Sequence, residues 1–213
     1  MGHNFLIAKE GLPFVAAGAL AAGVFFFFGW VSLGIVFLLL TLFTLWFFRN
    51  PIRHVPNGDS WVISPADGRI IEIEKTDERR ILKDQRIKIG IFLNIFNVHI
   101  NRSPCSARVV DLFYNSGKFF AANAPKASLE NEQNALLLER PSGERILCVQ
   151  IAGLIARRIV CWVKKGDCLR PGERFGLIRF GSRVELFLPV ETQLRIKVGD
   201  KVKGGETILG VFK

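Results

Sequence analysis

The chain has 213 residues, enough for one core domain and an appendage, with 49% hydrophobic residues and a formal charge of +10. Such an apolar content is high for a soluble protein, and the excess is local. No nucleic-acid-binding motif accompanies the positive charge, so nucleic acid is set aside in favour of an anionic lipid surface.

In chain order, the first element is apolar. Gly11 to Phe48, 38 residues, contains no Asp, Glu, Lys or Arg. A single span needs about 20 apolar residues, so the run divides at Gly29-Trp30. The halves, 12–28 and 31–48, read as a transmembrane helical hairpin forming a membrane anchor over 1–48. A signal peptide is disfavoured, because the segment before the apolar run holds one Lys and one Glu and no convincing small-residue cleavage site follows. A re-entrant or interfacial hairpin stays open as an alternative. Arg49 and Arg53 flank the second half, and cationic flanks stay cytoplasmic. This places both the N-terminus and the domain over 49–213 on the cytoplasmic face of the cell membrane. Lys9 and Glu10 are the only charged side chains before Arg49, so the second domain keeps the whole +10.

That domain reads as mainly β. Short runs rich in β-branched and apolar residues, broken by Gly, Pro, Asn and Asp, predict strands at 61–63, 69–74, 86–94, 107–114, 135–139, 145–151, 176–179 and 183–188. Residues 151–163 are the one stretch with helical character, weakened by Gly153. Residues 119–134 predict a long loop, and long loops in compact domains are often functional lids. The four cysteines, Cys105, Cys148, Cys161 and Cys168, match no metal or redox spacing and read as packed, reduced thiols. His3, His54 and His99 are too scattered for a metal cluster, so no metal site is expected.

One repeat is visible. Residues 165–175 and 198–208 share Gly-Asp-x-apolar-basic-x-Gly-Glu-x-apolar, offset by 33 positions. The pair looks like two related hairpins of a flattened β-barrel, similar to the barrel-sandwich hybrid of biotinyl and lipoyl carriers. No exposed lysine turn is present, so the repeat is read as architecture.

The chemistry-bearing step is Gly181-Ser182. A serine hydroxyl can attack the preceding carbonyl when the backbone is bent, and glycine permits such a bend. The N→O acyl shift gives an ester, loss of the serine α-proton expels the upstream chain, and water converts the remaining dehydroalanine to a pyruvoyl group with release of ammonia. Both opening steps need a base, and a histidine held by a carboxylate meets that need. Taken singly, Gly-Ser and Asp67-Gly68 are ordinary turn dipeptides, and His99 is an ordinary half-buried imidazole.

Together with their surroundings these residues resemble the phosphatidylserine decarboxylase proenzymes, over most of the chain. Phe47-Phe48-Arg49-Asn50-Pro51, Ser64-Pro65-Ala66-Asp67-Gly68, Phe96-Asn97-Val98-His99 with Asn101-Arg102-Ser103-Pro104, residues 153–159, Gly172-Glu173-Arg174-Phe175-Gly176 and Phe180-Gly181-Ser182-Arg183-Val184 carry the resemblance. The compact length is similar to the short bacterial and archaeal branch. The resemblance implies self-cleavage between Gly181 and Ser182 into chains 1–181 and 182–213, held together as a heterodimer. It implies Ser182, His99 and Asp67 as catalytic residues, with Ser182 as the precursor of a covalent pyruvoyl cofactor. That group would form a Schiff base with phosphatidylserine and release CO₂ to give phosphatidylethanolamine. Asn97, Asn101 and Arg102 are expected contacts to substrate phosphate or carboxylate, and His99 the expected proton donor to the α-carbon. The larger branch has Thr where Arg183 stands and a second histidine where Phe96 stands. Two other readings stay open. One is decarboxylation of an ether-linked serine lipid; the other is a non-enzymatic, membrane-anchored barrel-sandwich adaptor. Exposed edge strands also raise the expectation of a further dimer.

Overall fold

The computed structural model describes residues 5–118, 120, 130–153, 158–179 and 181–213. The chain divides into two compact units, Met1–Ile52 and Arg53–Lys213.

In the first unit a short 3₁₀ turn at Lys9–Gly11 leads into α1 (Leu12–Phe27), and α2 (Val31–Phe47) follows. Pro13 lies in the first turn of α1, where its missing N–H costs nothing. The two helices lie against one another, with the Phe25 and Phe37 rings stacked at 5.1 Å. Inside this apolar pair the threonine hydroxyls stay satisfied: Thr41 and Thr44 each donate to the carbonyl four residues back, at 2.8 Å. Among the described residues only Lys9–Phe27 is long and apolar enough to cross a membrane; Val31–Phe47 is a shorter apolar helix.

The second unit is mainly β. Its strands are β1 (Trp61–Ile63), β2 (Gly68–Glu78), β3 (Asp84–Leu93), β4 (Ile100–Arg102), β5 (Ala107–Asn115), β6 (Gln133–Glu139), β7 (Arg145–Ala152), β8 (Ile159–Cys161), β9 (Cys168–Leu169), β10 (Arg174–Ile178), β11 (Ser182–Pro189), β12 (Gln193–Leu194), β13 (Lys201–Val202) and β14 (Ile208–Val211). Eight of them form one curled sheet in the order β13-β2-β3-β11-β7-β6-β5-β9, a half-barrel with two short edge strands. Two three-stranded sheets, β1-β14-β12 and β4-β10-β8, complete the unit.

The expected helix over 151–163 is not formed in its described part. Residues through Ala152 finish β7, and Ile159-Val160-Cys161 pair with Ile178-Leu177-Gly176 as β8. Two β-branched residues beside a free strand edge win over three or four residues of helical composition. Residues 154–157 lie outside the described residues, as do 119 and 121–129 of the expected loop. That loop is shorter than expected, since β6 begins at Gln133.

The repeat proves architectural. Gly166 N donates to Val109 O at 2.8 Å, and Gly199 N donates to Ile70 O at 2.8 Å. Val109 N and Ile70 N return the bond to Asp167 O and Asp200 O. Each aspartate also caps its own turn, accepting from Lys164 N and Lys197 N at 2.9 Å. So β9 pairs with β5 as β13 pairs with β2. The sheet order reads alike from either edge, with β11 and β7 at the centre.

Along β11 the alternation is clean. Val184, Leu186 and Leu188 enter the main core with Ile70, Ile89, Ile91 and Leu93. Arg183, Glu185 and Phe187 face the other side, and both charged residues there are buried. Burial is tolerated because they are paired: Arg183 with Glu185 at 2.8 Å and with Glu72, and Lys88 with Glu72 at 3.2 Å and Glu185 at 3.6 Å. Arg183, where the larger branch of the resembled family has Thr, is therefore a member of an inter-strand ion network.

Candidate functional site

Ser182 is the first residue of β11, and its strand is held on both sides. It lies opposite Leu93 of β3 and Ala152 of β7. The residue is 0% exposed, and its Oγ has no hydrogen-bond partner among the described residues. Gly181 before it has φ +62, and a Cβ built there would meet nothing within 4 Å among the described residues. The backbone is thus in the left-handed region without being crowded into it. Phe180 lies outside the described residues.

His99 immediately precedes β4. β4 runs antiparallel to β10, with Asn101 opposite Gly176 and Ile100 opposite Leu177. The ladder continues one step, as Ile178 N donates to His99 O at 3.3 Å. Four residues beyond Ile178 the chain reaches Ser182. The imidazole is 2% exposed, and its Nδ1 lies 3.0 Å from Asn97 O. A carbonyl only accepts, so Nδ1 carries a proton, and in the neutral tautomer Nε2 holds the lone pair.

Asp67 is differently engaged. Its carboxylate accepts from Arg53 NH2 at 3.0 and 2.8 Å and from Gly204 N at 2.8 Å. Arg53 also lies 3.6 Å from Glu206. The hydrogen bonds of Asp67 therefore run to Arg53 and to a turn beyond Ser182, not to His99.

The remaining candidates separate. Asn97 uses its side chain to close its own loop, accepting from Asn94 N at 2.9 Å. Asn101 is fully buried and accepts from Gln150 Nε2 at 2.8 Å. Arg102 is buried and donates to Gly172 O at 3.0 Å. Burial, with Arg174 and Arg53 nearby, pushes its guanidinium down to about 10, which leaves it a cation at neutral pH. Arg53, Asp67 and Glu206 stand in the same region, since a Cβ on Gly205 would meet Arg102 Cδ at 2.8 Å and Arg53 Cβ at 3.5 Å.

Sequence reasoning missed Arg53 and Gln150. Arg53 lies 14 residues from its carboxylate partner, and no local spacing connects them. Gln150 did carry a signal: it is the single amide in the apolar run 146–152, and such a residue needs a buried partner. The buried thiols are inert, with Cys105 pushed up to about 12 by burial.

The sequence profile of phosphatidylserine decarboxylase matches residues 40–210. The chain is 49% identical over 215 residues to a phosphatidylserine decarboxylase proenzyme of Syntrophus aciditrophicus, with 100% of each chain covered. It is 51% identical over 209 residues to the protein of that name from Geotalea daltonii (98% of each) and 50% identical over 204 residues to that of Desulfotalea psychrophila (96% and 95%).

Proposed function

This chain belongs to the phosphatidylserine decarboxylase family, and from that membership we propose that it matures by cutting itself between Gly181 and Ser182 and then decarboxylates phosphatidylserine to phosphatidylethanolamine. The observation that carries this reading is a buried serine hydroxyl with no hydrogen-bond partner among the described residues, immediately after a left-handed glycine. Buried polar atoms are almost always satisfied, so a nucleophile left without a partner next to a glycine in the left-handed region points to a group held ready to react. The same residues fit a pyruvoyl group, because that group is made from the Ser182 backbone and β-carbon and needs no added cradle.

Ser182 Oγ attacks the Gly181 carbonyl. His99, oriented by the Asn97 carbonyl, takes the hydroxyl proton on Nε2 and afterwards removes the Ser182 α-proton. Asp67 completes the proposed catalytic set by holding Arg53 and the turn at Gly204. It thereby fixes the segment after the cut against the segment before it. Once formed, the pyruvoyl group supplies an electron sink for the pair released as CO₂ departs. Arg102 stays cationic in its buried position and offers charge to the phosphate or carboxylate of the substrate. Asn97 and Asn101 are the neighbouring polar groups.

The products are chains 1–181 and 182–213. The second carries β11, β12, β13 and β14, and β11 is paired along its length with β3 and along most of it with β7. The two pieces therefore stay together as one domain of the barrel-sandwich kind. α1 and α2 span the bilayer as a hairpin with the β-rich unit on the cytoplasmic face. Helices of 16 and 17 residues are about 24–26 Å long, against a hydrocarbon core of about 30 Å. The ring of Trp46 under Arg49, 4.2 Å from its guanidinium, suits the interface.

The test is a lipid assay in vesicles. Diacyl phosphatidylserine is expected to lose CO₂ and become phosphatidylethanolamine with the wild type and not with Ser182→Ala. Turnover of an ether-linked serine lipid alone would reassign the substrate, and equal inactivity of both proteins on both lipids would contradict the reading.

A further inference from the structure

Three buried side-chain amides and a thiol form a directed chain that passes through Gln150, on the face of the sheet that Ser182 shares. Cys161 Sγ donates to Val163 O at 3.5 Å, which leaves its sulfur to accept from the Asn134 side chain. Asn134, on β6, donates through Nδ2 to Gln150 Oε1 at 2.9 Å. Gln150, on β7, donates through Nε2 to Asn101 Oδ1 at 2.8 Å. Gln150 and Asn101 are 0% exposed and Asn134 is 5% exposed.

A carboxamide has one accepting end and one donating end. Each bond in the chain therefore fixes the orientation of the next amide. With its oxygen occupied by Gln150, Asn101 has only N–H bonds to offer. Its Nδ2 is buried and has no hydrogen-bond partner among the described residues.

The strand register relates that donor to the Gly181-Ser182 step. Gln150 lies opposite Val184, and Ala152 lies opposite Ser182, so Gln150 and Ser182 share a face of the sheet. Asn101 lies opposite Gly176, where a Cβ would come within 3.0 Å of Gln150 Nε2; the missing side chain lets the amide cross between sheets. His99, two residues before Asn101, shares its face of the extended chain. Ser182 Oγ and Asn101 Nδ2 are thus two buried polar atoms without a hydrogen-bond partner among the described residues, linked by the face that Gln150 and Ser182 share.

We propose that Asn134 and Gln150 are positioning residues that hold Asn101 as an N–H donor, and that Asn101 Nδ2 stabilises the oxyanion formed on the Gly181 carbonyl during self-cleavage. The inference rests on Gly181-Ser182 being the scissile bond. Ser182 Oγ gives its proton to His99 and forms a bond to the Gly181 carbonyl carbon. The carbonyl π pair moves onto oxygen, where Asn101 donates. Collapse re-forms the C=O and breaks the C–N bond, and the departing nitrogen takes the proton back from His99. An ester and a free amine result, with no change of oxidation state.

The experiment follows uncut full-length chain over time after synthesis into vesicles, with and without hydroxylamine, which cleaves a formed ester. Removing an oxyanion donor costs about 10²–10³-fold, so Asn101→Ala should slow cleavage by about that factor, and hydroxylamine should not restore it because the ester is not reached. Asn134→Asp is the decisive remote variant. Its carboxylate cannot donate, so Gln150 turns to donate to it, Asn101 turns in response, and the Asn101 oxygen faces the site. Cleavage should slow without loss of folding, judged by a thermal midpoint near that of uncut Ser182→Ala. Wild-type cleavage rates in folded Asn134→Asp, or in Asn101→Ala, would overturn the relay. Hydroxylamine-triggered cleavage of either variant would overturn its assignment to the acyl shift. If the wild type itself is never cut at Gly181-Ser182, the reading of the scissile bond fails before the relay is reached.

Discussion

Gly181→Ala separates conformational priming from simple access. At φ +62 an L-residue pays about 1–2 kcal/mol relative to glycine. Among the described residues nothing lies within 4 Å of the added Cβ, so they add no steric term in the resting chain. With about 1.4 kcal/mol per factor of ten, the fraction of chains presenting the carbonyl in this geometry falls about 5–30-fold. If that geometry starts the acyl shift, the rate of self-cleavage falls by the same factor. In an otherwise uncut Ser182→Ala background the same strain appears as stability, lowering the thermal midpoint by about 2–8 °C for a domain of this size. The assay is the decay of full-length chain by intact mass after cell-free synthesis into vesicles. A rate within twofold of wild type, with the midpoint lowered as expected, would refute priming by the left-handed peptide. A loss beyond about a thousandfold would instead mean that the methyl group obstructs attack, which the resting geometry does not predict.

Other outcomes follow from the same contacts. His99→Ala should abolish cleavage, and Asp67→Asn should impair it by loosening Arg53 from the turn at Gly204; normal processing of either, read on a denaturing gel, would remove that residue from the catalytic set. The cut pieces should co-purify until denaturant is added, because β11 of the smaller piece lies between β3 and β7; separation in native buffer would contradict the sheet order. Burial alone would raise the Glu72 carboxyl, but Arg183 and Lys88 hold it below its usual value. A lowered folded value gives stability that is present above the ordinary carboxylate value and lost as pH falls from there through the lowered folded value. Thermal midpoints of Glu72→Gln should therefore fall less steeply on acidification than those of the parent, and parallel acid limbs would refute the network's role.

The strands were legible where β-branched runs met Gly, Pro or Asn punctuation, and all eight expected strands are present within a few residues. The repeat was legible too, because its turns need glycine and aspartate at fixed offsets. The failure at 159–161 is instructive: three residues are too few to show a period, and pairing with β10 decided their state. At the site, Ser182 and His99 were readable from motifs. Their setting was not, because Asp67 pairs with Arg53, and Gln150 reaches Asn101 from 49 positions away. Such contacts are set by which strands become neighbours, and spacing along the chain carries no trace of that.

The most direct test of the whole account is intact mass spectrometry of the purified, active protein. The account predicts two species, 1–181 and a 32-residue 182–213 whose N-terminus is blocked and lighter by one ammonia than an amino-terminal serine, with Ser182→Ala remaining a single chain. One full-length species in an active preparation would contradict it.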